Sequence, residues 1–179
     1  MKRAVFLDRD GVINRALVRD GKPYPPANLA ELEIIPGVVD AMRSMHDAGW
    51  LLIVVTNQPD VARGTTPLAY VEAINQHLQQ HLPIDEFRSC YHDNSDECSC
   101  RKPKPGALFA ASTLHGIDLS ASYMVGDRWS DAEAGERAGC RTIFLDNGYD
   151  ERQPERYSYR VRSLTEAAYI ILGVRNEKV

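Results

Sequence analysis

Residues 4–14 have the sequence AVFLDRDGVIN, in which four apolar residues lead directly into a turn with two aspartates. A short apolar run that ends in a charged turn is typical of a buried strand in a parallel sheet. Asp8 and Asp10, separated by one residue, can face the same cavity from an extended turn. One carboxylate can then attack phosphorus while the other transfers a proton. A solvated turn could contain the same pair of aspartates, so the other motifs of the chain are needed to distinguish a catalytic pair from such a turn.

Strand and helix patterns alternate along the rest of the chain. Residues 20–28, rich in Pro and Gly, are predicted to form a loop. The patterns predict strands at 4–7, 51–55, 87–91, 123–125 and 142–145, and helices from about 38, 67, 106, 131 and 164. This alternation predicts an α/β fold, a Rossmann-like three-layer sandwich with helices on both faces of a central parallel sheet.

Polar side chains cluster where the predicted strands end. Thr56 and Asn57 follow the second strand, and Asp127 follows the strand at 123–125. Ligands of parallel sheets bind beyond these carboxyl ends, so we expect a site there. Asp127 and Asp8 can supply oxygen ligands for Mg²⁺, together with a backbone carbonyl. Thr56 and the amides after it can donate to phosphoryl oxygens, and Lys102 can add a fixed positive charge.

A second metal site is predicted by three cysteines and a histidine that lie close together in the sequence. Cys90, His92, Cys98 and Cys100 form two close pairs across a short loop, which suits tetrahedral Zn²⁺ better than disulfides. Four protein ligands leave no open position, so this zinc would be structural and would fix the loop before Lys102. The alternative is a set of unbound thiols with a surface histidine.

Composition limits the classes of partner. The chain has 179 residues and a net charge of −4, which suits one domain over residues 1–179 and argues against nucleic-acid binding. No apolar run approaches the roughly 20 residues of a membrane span, and the apolar start is too short for a signal peptide. We therefore expect a cytoplasmic monomer without membrane contact, which binds an anionic small molecule through a local cluster of donors.

Four short motifs occur in order, each at a predicted strand end or in a loop. They resemble the motifs of haloacid dehalogenase (HAD) phosphatases: residues 8–14 (DRDGVIN), residues 55–57 (VTN), Lys102, and residues 125–127 (VGD) with Asp131. The resemblance implies that Asp8 is the nucleophile and Asp10 the general acid/base, and that Thr56 and Lys102 bind the phosphoryl group. It also implies that Mg²⁺ is held by Asp8, Asp127 and the Asp10 carbonyl. Asp131 is either an acid behind the site or a residue that starts a helix.

The spacing of these motifs limits what can cover the site. Only a loop and one helix fit between Asp10 and Thr56, and the segment from Thr56 to Lys102 is also short. The chain therefore lacks room for the large cap domain that many HAD relatives insert. We expect an open site shaped by loops around residues 22–24, 63–64 and 90–100.

Further motifs resemble a narrower group of HAD phosphatases, which act on heptose 1,7-bisphosphate or on histidinol phosphate. They are residues 56–58 (TNQ), 61–64 (VARG) and 102–106 (KPKPG). They imply removal of the 7-phosphate of D-glycero-D-manno-heptose 1,7-bisphosphate, a lipopolysaccharide precursor. The implied substrate contacts are Thr56, Asn57, Gln58, Arg101, Lys102 and Arg128. The short gap at residues 93–97 instead resembles the histidinol-phosphatase loop, so histidinol phosphate stays an alternative.

A phosphotransferase or phosphomutase could share the aspartyl-phosphate, but it would need a way to exclude water, and the chain has no room for a cap. Two hypotheses from non-enzymatic classes also remain at this stage. A non-hydrolytic phosphoacceptor domain also places acids, Thr and Lys on a parallel sheet, but its phosphorylated aspartate does not lie on the first strand with a second acid two residues later. A zinc-stapled binding domain would account for the Cys/His loop but not for the acids at the strand ends. Steady release of phosphate in the presence of Mg²⁺ would separate an enzyme from both.

Overall fold

The computed structural model describes residues 1–174, which form a central sheet, a small hairpin and five α-helices. The strands are β1 (Ala4–Leu7), β2 (Leu17–Arg19), β3 (Lys22–Tyr24), β4 (Leu51–Asn57), β5 (Glu86–Cys90), β6 (Tyr123–Gly126), β7 (Arg141–Leu145) and β8 (Tyr159–Val161). The helices are α1 (Val38–Asp47), α2 (Leu68–His81), α3 (Gly106–His115), α4 (Trp129–Ala138) and α5 (Leu164–Leu172). None of the helices between residues 1 and 174 is long and apolar enough to cross a membrane.

Six strands form one parallel sheet in the order β5-β4-β1-β6-β7-β8. Successive residues of a strand point to opposite faces, and β1 follows this rule with every residue buried. Val5 and Leu7 pack with α1, α2 and α5 on one face, whereas Ala4 and Phe6 pack with α3 on the other. The predicted Rossmann-like three-layer sandwich with a central parallel sheet is confirmed.

Three details differ from the sequence-based expectation. The loop predicted over residues 20–28 is wrong at 22–24, because β2 and β3 form an antiparallel hairpin around a two-residue turn at Asp20 and Gly21. Both turn residues have positive φ, as hairpin turns of this length require. The edge strand β8 was also missed, and α4 begins at Trp129 rather than Asp131. These strands have three residues each and are mostly exposed, so they carry no clear hydrophobic alternation.

The strand order positions the polar strand ends beside one another. β1 lies between β4 and β6: the chain runs outward from β1 to β4 and β5, then crosses back to β6 on the other side of β1. In open α/β sheets a crevice forms at such a switch point, beyond the carboxyl ends of the strands. Asp8 directly follows β1, Thr56 lies at the end of β4, and Asp127 directly follows β6. The fold thus gathers residues that are more than 100 positions apart in the chain.

Candidate active site

The centre of the site is an ion pair between Asp8 and Lys102, both almost completely buried. The Lys102 ammonium lies 2.8 Å from Asp8 Oδ1 and 2.7 Å from Asp131 Oδ1, and it donates to the Val55 carbonyl at 2.6 Å. These three acceptors use all three ammonium hydrogens. The lysine is therefore held rigidly between two carboxylates at the end of β4.

Burial and neighbouring charges shift the pKa values of this pair. Burial raises the pKa of Asp8 to about 6; Lys102 opposes the shift, while the charges of Asp131 and Asp10 add to it. For Lys102, burial disfavours the charged form, but the carboxylates of Asp131 and Asp8 outweigh it and raise the pKa further. Lys102 thus stays protonated at neutral pH, and Asp8 is mostly ionised there.

Asp127 is held from one side only. Its Oδ2 accepts from the Tyr149 hydroxyl at 2.7 Å and from Asn147 Nδ2 at 3.1 Å, whereas its Oδ1 is buried without a hydrogen-bond partner. Gly11 makes this arrangement possible, because a Cβ there would lie 1.8 Å from Asp127 Oδ2. Gly11 also has a φ of +87°, which favours glycine.

Three buried carboxylates come together where a cation would be expected. Asp8, Asp127 and Asp131 each offer an oxygen atom, and these atoms lie within 4.8 Å of one another. Burial, followed by the charges of Asp8 and Asp131, raises the pKa of Asp127 well above its ordinary value. Closely spaced buried carboxylates with an unpartnered oxygen fit a divalent cation with oxygen ligands. Asp131 is the least available of the three, because its oxygens accept from Lys102 and from the Arg128 amide.

Asp10 is surrounded by hydrogen-bond donors. The Arg9 guanidinium contacts both its oxygens at 3.1 to 3.2 Å, Asn14 Nδ2 lies 3.0 Å from Oδ1, and Gln58 Nε2 lies 2.7 Å from Oδ2. Arg9 is fully buried. Gln58 also donates to the Thr56 hydroxyl at 2.9 Å, which connects the ends of β1 and β4. Asp10 is consequently held in one position beside Asp8.

A cleft of about 280 Å³ opens above Asp8 and Asp10. Its remaining walls carry cationic and polar side chains, together with the β2–β3 hairpin; they include Lys22, Tyr24, Asn57, Asp60, Arg63, Arg101 and Arg128. Four cations at this rim give the local positive charge that an anionic ligand requires in a chain of net charge −4. The hairpin, which the sequence did not predict, forms one wall.

Some predicted substrate contacts are engaged with protein groups. Both polar atoms of the Asn57 amide bond to the main chain of Lys102, at 3.0 and 3.1 Å. Arg128 forms a bidentate pair with Glu151, with donor–acceptor distances of 2.5 to 3.1 Å. Arg101 faces the cleft and also donates to Asn94 at 2.8 Å. Asn57 thus holds the backbone that carries Lys102, whereas Arg101 and Arg128 line the cleft.

The Cys/His loop has the geometry of a metal site. The Sγ atoms of Cys90, Cys98 and Cys100 lie 3.1 to 3.7 Å apart, and His92 Nδ1 lies 3.3 Å from Cys100 Sγ and 3.6 Å from Cys90 Sγ. With Zn–S bonds of about 2.3 Å, a tetrahedral site separates its sulfur ligands by about 3.8 Å. The loop abuts the cleft, because Arg63 pairs with Asp93 at 2.7 Å.

Sequence reasoning found the strand-end residues but missed those that hold them. Arg9, Asn14, Asn147 and Tyr149 had no assigned role, although they bond to Asp10 or Asp127. Asn147 and Tyr149 are more than 130 residues from β1 in the chain. Arg9 and Asn14, which lie inside the 8–14 motif, offered a sequence signal, whereas Asn147 and Tyr149 did not.

The chain is similar to known phosphatases. A family model described as HAD-hydrolase-like matches residues 99–167. D-glycero-beta-D-manno-heptose-1,7-bisphosphate 7-phosphatase from Pseudomonas putida is 38% identical over 159 residues, which cover 86% of this chain and 88% of that protein. The Escherichia coli K12 protein of the same name is 38% identical over 79% of this chain and 78% of its own.

Solved structures agree with this likeness. The structure of D,D-heptose 1,7-bisphosphate phosphatase from B. bronchiseptica, complexed with magnesium and phosphate, superposes with a TM-score of 0.81 and 30% identity. The match covers 98% of this chain and all of that one. The corresponding protein from Burkholderia thailandensis matches with a TM-score of 0.65 and 25% identity over 96% of this chain.

Proposed function

Because the chain belongs to the HAD phosphatase family that includes the heptose bisphosphate phosphatases, we propose that it removes the 7-phosphate of D-glycero-D-manno-heptose 1,7-bisphosphate. The observation that carries this proposal is Asp8, held by Lys102 at the floor of a cationic cleft. A buried, ionised carboxylate beside a fixed ammonium is suited to attack a phosphorus atom. The relatives' names supply the substrate.

In the first chemical step, an Asp8 carboxylate oxygen forms a bond to phosphorus, and the bond from phosphorus to the sugar oxygen breaks. Asp10 gives that oxygen a proton, so the sugar leaves as an alcohol. Lys102 stabilises the charge that builds up on the phosphoryl oxygens, and Thr56 donates to one of them. Asn57 keeps Lys102 in place through its two backbone contacts.

In the second step, water attacks the phosphorus of the aspartyl-phosphate. Asp10 takes a proton from this water, and the bond between phosphorus and Asp8 breaks to release inorganic phosphate. Arg9, Asn14 and Gln58 hold Asp10 where it can serve both steps. Asp10 has given up its proton in the first step, so it can accept one from the attacking water in the second.

We propose Mg²⁺ as the cation of the carboxylate cluster and Zn²⁺ as the ion of the Cys/His loop. Asp8, Asp127 and the main-chain carbonyl of Asp10 would hold Mg²⁺, which offsets the repulsion between Asp8 and the incoming phosphate. Asp131 acts instead as the partner of Lys102, since both its oxygens are engaged. Cys90, His92, Cys98 and Cys100 would hold Zn²⁺ and keep the adjoining Arg101 at the cleft.

The remote end of a bisphosphate fits the charged rim. Arg63, Arg101 and Arg128 surround the cleft, so a second phosphate and its sugar hydroxyls have donors there. Binding of the remote end orients the reacting phosphate, so a monophosphate should lose rate as well as affinity. We also propose that residues 1–179 form one domain, which acts as a cytoplasmic monomer.

The test is phosphate release from heptose 1,7-bisphosphate, fructose 1,6-bisphosphate and histidinol phosphate, with phosphorus NMR to identify the phosphate that leaves. We expect the highest kcat/KM for the heptose and loss of its 7-phosphate. A preference for histidinol phosphate would overturn the substrate and leave the phosphatase mechanism intact. Loss of the 1-phosphate first would also contradict the proposal.

Two substitutions test the mechanism. Asp8→Asn should abolish turnover, because an amide cannot attack phosphorus. Asp10→Asn should still bind substrate but lose a factor of about 10² to 10⁴ in kcat. The matched control is Asp47→Asn, which removes an exposed carboxylate at the end of α1 and should leave kcat unchanged. Wild-type activity in Asp8→Asn would refute the assignment of the nucleophile.

A further inference from the structure

Residues 147–151, which we call the clasp, follow β7 and touch three separate parts of the site. Asn147 Nδ2 donates to the Gly11 carbonyl at 3.0 Å and to Asp127 Oδ2 at 3.1 Å. Tyr149 donates its hydroxyl to the same oxygen of Asp127 at 2.7 Å. The clasp therefore joins the turn after β1 to the turn after β6, through side chains to which the reaction itself assigns no role.

These contacts determine which carboxylate oxygen of Asp127 is available to a cation. Two donors occupy Oδ2, which leaves Oδ1 buried without a partner of its own. Tyr149 is itself mostly buried, so its hydroxyl has little access to competing water. A carboxylate fixed in this way loses little rotational freedom when it binds a cation, and such outer partners commonly govern metal affinity.

The clasp also holds the rim of the cleft. Glu151 accepts hydrogen bonds from Nε and Nη2 of Arg128 in a bidentate pair, and the Glu151 side chain is only 11% exposed. A planar guanidinium gripped by a carboxylate has one orientation rather than many. The backbone amide of Asp150 donates to the Gly21 carbonyl at 2.8 Å, which anchors the β2–β3 hairpin that forms one wall.

We propose that the clasp is a positioning element that serves the two halves of the site separately. Tyr149 and Asn147 orient Asp127 for the divalent cation, and Glu151 orients Arg128 for the remote end of the substrate. This inference rests on the proposed function, since it assigns the cation and the substrate to those two residues. It makes Tyr149, Asn147 and Glu151 positioning residues that touch neither the reacting phosphate nor the cation.

The test compares two conservative variants of the full chain with matched controls. Tyr149→Phe removes only the hydroxyl, and its control is Tyr157→Phe, an exposed tyrosine outside the cleft. Glu151→Gln removes the charge that grips Arg128, and its control is Glu155→Gln, whose side chain is 80% exposed. Each protein is titrated with Mg²⁺ by calorimetry and with Mn²⁺ by electron paramagnetic resonance, and kcat and KM are measured at saturating Mg²⁺.

The two variants should separate cation binding from substrate binding. Tyr149→Phe should raise the dissociation constant for the cation about 10- to 100-fold, with kcat largely recovered at saturating Mg²⁺. Glu151→Gln should leave that constant unchanged and raise KM at least about twofold, since coupled neighbours interact by about 0.5 kcal/mol or more. Both controls should match the wild type.

Several results would overturn the proposal. Unchanged or tighter cation binding in Tyr149→Phe would remove the role assigned to its hydroxyl. A lower KM in Glu151→Gln would mean that Glu151 weakens substrate binding by partly neutralising Arg128, instead of orienting it. If the wild type releases no phosphate from any substrate, the proposed function fails, whereas the direct cation titrations still decide whether the hydroxyl of Tyr149 supports Asp127.

Discussion

Replacement of the proposed nucleophile should stabilise the protein in magnesium-free buffer. Asp8 is ionised at neutral pH although burial raises its pKa to about 6 from an ordinary 3.8. A difference of this size corresponds to about 3 kcal/mol by which the ionised carboxylate destabilises the folded protein. Asparagine has nearly the same shape without the charge, and its oxygen can still accept from Lys102. Asp8→Asn should therefore have a free energy of unfolding up to about 3 kcal/mol higher than that of the wild type.

The pH dependence has a definite sign. Because the folded-state pKa of Asp8 lies above its unfolded value, the penalty is complete above about pH 6 and fades as the pH falls towards about 4. The advantage of Asp8→Asn should therefore be largest at about pH 7 and should shrink to about half at pH 5. In a protein of this length, 1 kcal/mol moves Tm by about 2 to 4 °C, so the gain at neutral pH is about 6 to 12 °C.

The assay is thermal unfolding of wild type, Asp8→Asn and the surface control Asp47→Asn, in magnesium-free buffer at several pH values. Mg²⁺ should raise the Tm of the wild type more than that of Asp8→Asn, because binding to the folded state alone stabilises it. A variant that melts at or below the wild-type temperature at neutral pH would refute the reasoning. A gain that persists undiminished at low pH would refute it as well.

Lys102→Met should lower the free energy of unfolding, measured in urea, by about 3 to 5 kcal/mol, because two buried carboxylates lose their cation. A decrease of less than about 1 kcal/mol would contradict the role of this ion pair. Cys98→Ser should lower the zinc content of purified protein in elemental analysis, whereas Cys140→Ala, outside the loop, should keep a full equivalent; equal zinc in both would exclude the proposed ligand set. Gly11→Ala should abolish phosphate release, since its Cβ would meet a site carboxylate at 1.8 Å. Gly49→Ala, which also has positive φ but open space around it, should stay active, and similar losses in both would point to backbone strain alone.

The sequence predicted the elements whose signals are local. Apolar runs such as 51–55 are long enough to identify a buried strand, and the polar residues that follow such runs mark the crevice. The hairpin at Lys22–Tyr24 was missed because a strand of three mostly exposed residues with a central Pro23 has no alternation to detect. Strand β8 was missed for the same reason, since only Val161 of its three residues is buried.

The supporting contacts of the site could not be predicted because they depend on long-range geometry. Asn147 reaches Gly11 across 136 positions of the chain. Nothing in the local sequence of either residue indicates the other, and a polar residue after a strand is usually a solvated turn. Asp131, whose role the sequence left open, contacts Lys102 only because α4 begins next to β6.

The central position of β1 has a consequence for synthesis of the chain. This strand leaves the ribosome well before its partner on one side, β6, which comes 118 positions later. At about 5 to 20 residues per second, that edge of β1 waits roughly 6 to 24 seconds for its neighbour. During this interval, a strand without a single exposed side chain has to be kept from other apolar segments. Asp8 is therefore made long before the site that contains it is complete, because Asp127 follows 119 positions later and Glu151 follows 143 positions later.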